Sequence, residues 1–357
     1  MSFFTKRYEY RVYNRIFFNN YSCNGVITEN NCYRMKKLKI LVFADPVCTW
    51  CWGSVPVVRA LRYRYGAQLE FEYLMGGMIE DITSFNNRRL SIGGDIAMSN
   101  RNMHKHWLEA SAIHGMPVSE TPIRLFTEEH RSTVPMNLAY IAAKLYEGTN
   151  DTAIDNASQR YLRILQEMTQ VDGAQTNVEE NIVAMSALVG FNKQKFSEIF
   201  AGPEVKRIYS ANRELCNEYD VHSFPTYKLV YADEEMMVRG FTTYETLAHC
   251  IAQLSYENVK PVDDGREAFT IANVRTFIEE FGTAYPVEIA TAFSLERTGG
   301  HTALNIESYS GLPDIVEEMI KSGDIAMAPK GNGFMLYTLK RKQNASQVKG
   351  REYAGVY

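Results

Sequence analysis

The chain has 357 residues, 45% of them hydrophobic, and a formal net charge of −4; it is long enough to bury a full core and to hold more than one domain. No apolar run approaches the ~20 residues of a membrane-spanning helix, and the near-neutral charge argues against whole-protein attraction to nucleic acid. Six cysteines in so long a chain do not make a disulfide scaffold.

Residues 1–34 are rich in Phe, Tyr and Asn, carry Lys6, Arg7, Arg11, Arg15 and Arg34, and lack the compact apolar core of a secretory signal. Met35-Lys36-Lys37-Leu38-Lys39 reads as a natural start, so the extension is expected to be a misassigned translation start or a disordered arm. The short, β-branched, apolar run Leu38–Ala44 reads as a strand. Cleavage after Ala44 would destroy that strand, which excludes a signal peptide there. With no export signal the expected compartment is the cytoplasm, where a cysteine pair rests mainly reduced.

Asp45-Pro46 breaks the strand, and residues 54–65 recur at helical spacing. Between them lies Cys48-Thr49-Trp50-Cys51. Cys48 is thus expected to open a helix, exposed at its N-terminus, where the macrodipole and unpaired N–H groups favour a thiolate and its pKa can fall to roughly 3.5–7. A structural zinc site wants four ligands, usually a second such pair or two closely spaced histidines. Cys216 and Cys250 stand alone, and His104-Lys105-His106 is the one close histidine pair, so no metal is expected. Redox chemistry is favoured over a static disulfide or inert thiols.

Residues 68–75 alternate as a second strand, ended by Gly76-Gly77, and residues 81–95 read as a loop that either overlies a groove or merely connects. From 96 to 219 apolar residues recur at helical spacing, interrupted by Gly115-Met116-Pro117, Val134-Pro135, Gly173 and Gly202-Pro203. This is a helical insertion. Its His104, His106 and Trp107 are read as structural or solvent groups. Strands follow at 226–232 and 236–240, and Thr242 or Thr243 caps a helix through Leu254. A linker at 258–265 leads to a small module, 266–340, with short helices at 287–293, 306–310 and 312–321 and a hairpin around Pro329-Lys330-Gly331-Asn332-Gly333. That order resembles a winged helix. Residues 287–340 nevertheless carry four basic against seven acidic residues, the wrong sign for phosphate binding. Protein docking or self-association is the expected role, and residues 341–357 are read as a flexible tail.

The string Phe43-Ala44-Asp45-Pro46-Val47-Cys48-Thr49-Trp50-Cys51-Trp52-Gly53 resembles the active-site segment of DsbA-like thioredoxin-fold oxidoreductases, particularly the FrnE-like group. Pro56 falls where such proteins kink their first helix, and Val221-His222-Ser223-Phe224-Pro225-Thr226 resembles their cis-proline loop. The resemblance covers residues 36–256. It implies an α/β thioredoxin-like fold with a helical insertion, residues 35–256, to which the winged-helix-like module is added. Cys48 would attack, Cys51 resolve, and Pro225 border the substrate groove. Trp50, Phe224 and Thr226 are the substrate-binding candidates, and Asp45 a proton relay for Cys51. DsbA carries a histidine between its cysteines and the FrnE-like group a proline where Thr49 stands, so the pair is expected to be less oxidising.

The resemblance therefore implies a cytoplasmic reductase or isomerase, without cofactor, acting on protein or small-molecule disulfides and thiols, with neither nucleic acid nor membrane as partner. The alternative is an adaptor, for example for a protease, with the cysteines as a redox switch. A related glutathione-using isomerase branch has serine in place of the first cysteine, which Cys48 argues against.

Overall fold

A computed structural model describes residues 36–149, 156–298 and 302–339; the extension 1–34 and the tail 341–357 lie outside them. The strand β1 (Leu38–Ala44) is buried on both faces except at Lys39, which explains its near-continuous apolar run. It is the inner strand of a four-stranded sheet ordered β2-β1-β3-β4, with β2 Leu69–Met75, β3 Thr226–Tyr231 and β4 Glu234–Arg239. β1 runs parallel to β2, from Leu38 opposite Leu69 to Ala44 opposite Met75. It runs antiparallel to β3, with Val42 opposite Tyr227 and Phe43 opposite Thr226. This register sets the site. One step beyond Phe43 and Thr226, the chain leaving β1 toward the cysteines meets the chain arriving at β3 through Pro225.

The β1–β2 crossover contains two helices, α1 (Thr49–Gly53) and α2 (Val55–Tyr65). The expected single helix kinked at Pro56 is instead divided at Ser54, with Pro56 in the first turn of α2. Proline is tolerated there because first-turn N–H groups have no helical partner. The insertion is α3 (Ile96–His114), α4 (Val134–Glu147), α5 (Ala157–Gln170), α6 (Glu179–Ser186), α7 (Lys193–Ala201) and α8 (Pro203–Glu218). Asp95 caps α3 by accepting from Met98 N at 2.6 Å. Rings from α4, α5 and α7 and their connections form one core, with Tyr146 stacked on Phe191 at 4.2 Å and Tyr161 at 5.3 Å from Phe196. After β4, Thr243 caps α9 (Tyr244–Leu254). No helix among the described residues is long and apolar enough to cross a membrane.

The C-terminal region is α10 (Ile271–Phe281), β5 (Thr283–Ala284), α11 (Pro286–Ala292), α12 (Leu312–Lys321), β6 (Ile325–Lys330) and β7 (Gly333–Thr338), with its sheet ordered β5-β7-β6. This is a winged-helix arrangement, but its helices differ from those expected. α10 was not anticipated, although Thr270 caps it and Ile271, Val274, Phe277, Ile278 and Phe281 share one face. Residues 306–310 supply only a single 3₁₀ turn, Ile306–Ser308.

The stretch expected to be a linker is strapped onto α2. Val259 is buried, Val262 N donates to Arg64 O at 2.7 Å, and Arg266 donates to Tyr63 O at 2.7 Å. Tyr63 of α2 lies edge-on to Phe277 at 5.4 Å and Phe293 at 5.6 Å. Both regions share one hydrophobic cluster. Within their interface the Glu288 carboxylate is fully buried between two guanidiniums, Arg59 at 2.9 Å and Arg163, which donates to both its oxygens at 3.1 and 3.2 Å. Such a cluster is weak evidence of net stabilisation, but removing its fully buried anion leaves the Arg59 and Arg163 guanidiniums facing each other with Glu167, 3.3 Å from Arg163, as the remaining carboxylate. Glu288→Ala should therefore lower the unfolding free energy by about 3–5 kcal/mol in urea titration. Glu317→Ala, which removes an exposed, solvent-screened pair with Lys321, should leave the urea midpoint unchanged.

Candidate functional site

The turn after β1 is built around Asp45, whose side chain is fully buried. Its Oδ1 accepts from Val47 N at 2.9 Å, and its Oδ2 from Met78 N at 2.6 Å and Asn137 Nδ2 at 3.0 Å. Burial raises its pKa above the usual carboxylate range, while those donors and Arg213 pull it back. Its carbonyl accepts from Cys48 N at 3.1 Å, which closes the turn and sets Cys48 as N-cap of α1. From α5, Gln170 Nε2 donates to the carbonyls of Cys48 at 3.3 Å and Pro46 at 3.4 Å.

Cys48 and Cys51 are free thiols. Cys48 stands at a helix start as expected, but not exposed: 5% of its surface is accessible, and 6% of Cys51's. The cover is the facing loop and the surrounding core. Cys48 Sγ donates to Phe224 O at 3.4 Å, a contact across 176 residues of sequence, and the Phe224–Pro225 peptide bond is cis, as the resemblance implies. Burial pushes the Cys51 thiol well up, and the adjoining Cys48 adds to it. Cys216, packed among Leu41, Phe43, Leu74 and Val221, is pushed up to about 11 by burial. Cys250, on α9, is likewise raised by burial.

Of the substrate-binding candidates, Trp50 is half-buried within an aromatic group, with ring centroids 5.4 Å from Phe241, 5.9 Å from His114 and 6.2 Å from His106. Phe241 is 38% exposed. The Phe224 ring lies over Gly76, where a β-carbon would overlap it. Thr226 is placed differently: it is fully buried, and its hydroxyl donates to Ser223 O at 2.8 Å, closing the turn around Pro225. Among the described residues no group of three or more His, Cys, Asp or Glu side chains converges to hold a metal.

His114 is a site residue that sequence reasoning missed. It ends α3, and its ring rests on Gly53, where any β-carbon would overlap it. Nδ1 accepts from Met116 N at 3.1 Å, so the neutral ring carries its proton on Nε2, 3.4 Å from Thr49 Oγ1. Burial, then the nearby His106, pulls its pKa down to about 3. Trp52 is fully buried, and its Nε1 donates to Pro117 O at 2.8 Å. His104, by contrast, is a structural group bonded to Ser119 O at 2.8 Å.

A neutral buried imidazole has a pH consequence. Unfolded, it charges near pH 6.5; folded, it holds out to about pH 3, so its contribution is complete above about pH 6.5 and lost as the pH falls toward 3. Wild-type stability should therefore fall by up to about 1.4 kcal/mol per pH unit more steeply than that of His114→Phe between pH 6 and 4. Equal slopes in denaturant titrations would show that His114 is not held neutral.

A family model described as Thioredoxin matches residues 41–249. Relatives include the ClpXP adapter protein SpxH of Halalkalibacterium halodurans, 23% identical over 271 residues that cover 74% of this chain and 80% of that protein. The Bacillus subtilis protein of the same name is 21% identical, covering 73% and 79%. A solved structure of a candidate protein disulfide isomerase from Nitrosomonas europaea, 18% identical, superposes with a TM-score of 0.50 over 61% of this chain and 97% of its own, a likeness of fold. The family match runs over more than half of the chain and takes in both the Cys48–Cys51 turn and Pro225: the chain belongs to the thioredoxin family, with a helical insertion built into its fold.

Proposed function

We propose that the protein is a thiol-disulfide oxidoreductase working through Cys48 and Cys51. The observation that carries this reading is the placement of Cys48 Sγ at a helix start, 3.4 Å from Phe224 O beside cis-Pro225. A substrate chain lying along that loop would bring its disulfide to Cys48. The Cys48 thiolate attacks one sulfur, forming a mixed disulfide and releasing the other as a thiol. Cys51 then loses its proton and attacks Cys48 Sγ, giving the Cys48–Cys51 disulfide and freeing the second substrate thiol. Substrate gains two electrons and the pair loses two, which a low-molecular-weight thiol or dithiol reductant restores. Cys51, with its raised pKa, needs a base for that step. Asp45 accepts three N–H groups of the four or so a carboxylate can take, so it has room for that proton. Trp50 and Phe241 supply the apolar surface met by a protein substrate, and the cytoplasm is the compartment in which the pair would be kept reduced.

A second reading, an adaptor that presents a protein partner with the thiols as a switch, is favoured by the SpxH relatives, which this chain matches over about four-fifths of their length. One set of variants separates the two. Cys51→Ala should accumulate a mixed disulfide on Cys48 when treated with oxidised glutathione, and Cys48→Ser should reduce insulin no faster than the uncatalysed background. If Cys48→Ser retains wild-type insulin reduction, or the adduct falls on Cys216, the oxidoreductase reading is wrong. Partner capture undiminished in a Cys48→Ser, Cys51→Ser double variant that lacks reductase activity would establish the adaptor.

A further inference from the structure

The turn between β6 and β7, the wing of the C-terminal region, points inward. Asn332 N donates to Val118 O at 2.9 Å while Asn332 Oδ1 accepts from Val118 N at 2.8 Å, so one residue pairs both ways with one residue of the loop after α3. Gly331, at φ +56°, lies against the same backbone so closely that a β-carbon would overlap Val118 O. On the flank Lys330 pairs with Asp172 and, at 4.0 Å, with Glu167.

The held loop is also the one that holds the thiol helix. Pro117, next to Val118, accepts the Trp52 indole at 2.8 Å; Trp52 follows Cys51. Asn332 Nδ2 lies 3.4 Å from Ser111 Oγ, which donates to Met116 O at 2.7 Å, and Met116 N donates to His114. The other face of Trp52 is covered by Arg163, its guanidinium 4.4 Å from the indole and 5.0 Å from the Tyr285 ring, and anchored to Glu288. The C-terminal region thus bears on Trp52 by two routes, through Val118 and Pro117 and through Glu288 and Arg163, and among the described residues no hydrogen bond, ion pair or ring contact joins it to Cys48 or Cys51.

We propose that Asn332 is a positioning residue of the thiol pair and that the wing, through Val118, Pro117 and Trp52, biases the pair toward its reduced form. This rests on the thiol-disulfide reading. The Cys48 S–H to Phe224 O contact exists only while Cys48 is a protonated thiol, so whatever holds α1 in register for it stabilises the dithiol. A loosened wing loses part of that stabilisation.

The test uses the full chain equilibrated across ratios of reduced to oxidised glutathione, with the Cys48–Cys51 disulfide quantified by acid quench and mass spectrometry. Asn332→Ala should move the equilibrium about fivefold toward the disulfide, the loss expected of one buried hydrogen bond. Asn332→Asp keeps the acceptor for Val118 N–H and should stay within about twofold of wild type. Lys330→Met, which frees the wing from Asp172, should move in the same direction as Asn332→Ala. If Asn332→Ala and Lys330→Met, folded by circular dichroism, keep the wild-type constant, the inference is overturned; so it is if Asn332→Asp shifts as far as Asn332→Ala. A 5-fluorotryptophan spectrum gives an independent readout, in which the Trp52 resonance, assigned by Trp52→Phe, should move in Asn332→Ala. If the wild type forms no Cys48–Cys51 disulfide at any ratio, the thiol-disulfide reading falls. An unmoved Trp52 resonance would separately remove the positioning role.

Discussion

A five-residue helix cannot hold its own shape in water, because nucleation fixes several residues for each hydrogen bond gained. α1, Thr49–Gly53, is such a helix, and the geometry of both thiols is therefore imposed from outside. Four elements impose it. Asn137 of α4 holds Asp45, Gln170 of α5 holds the carbonyls of Pro46 and Cys48, His114 and Pro117 hold Thr49 and Trp52, and Phe224 meets Cys48. The long insertion is thus what makes a reactive turn out of a sequence too short to form one.

The same burial decides the electrostatics. Around the pair lie a carboxyl pushed up by desolvation, a thiol pushed up further, and an imidazole pulled down to about 3. Each shift disfavours charge. A neutral His114 cannot act as the positive neighbour that a histidine between the cysteines would provide; its part is steric and hydrogen-bonded. Charge is gathered one layer further out, where Glu288 and Glu167 offset Arg59 and Arg163 behind Trp52.

Much of this was legible in the residues, and the exceptions have physical reasons. The run Leu38–Ala44 read as a strand, the Cys48–Cys51 spacing after it marked the site, and Thr242 or Thr243 announced α9, with Thr243 the residue that caps it. The cis bond at Pro225 and the winged-helix order came from resemblance and pattern together. His114 was hidden because its part depends on a contact with Gly53, 61 positions away in sequence, and a histidine before a helix-ending glycine looks like a simple terminus. The accessibility of Cys48 was misjudged because a helix N-terminus is exposed by default, and here another loop covers it. α10 did leave a capped apolar face inside the expected module, but the helices there were assigned only from residue 287 onward. Gln170 and Asn332 belong to the same class as His114: polar residues whose partners lie over a hundred positions off.

The central claim is that the thiol helix, the loop after α3 and the wing form one mechanically connected site. Hydrogen-exchange mass spectrometry of the fully reduced and the fully oxidised full-length protein tests it most directly. Oxidation breaks the Cys48 S–H to Phe224 O contact, so exchange should change together at residues 48–53, 114–118 and 330–333, with α12 unaffected. A change confined to residues 48–54, with the wing and the loop after α3 exchanging identically in both states, would contradict the account.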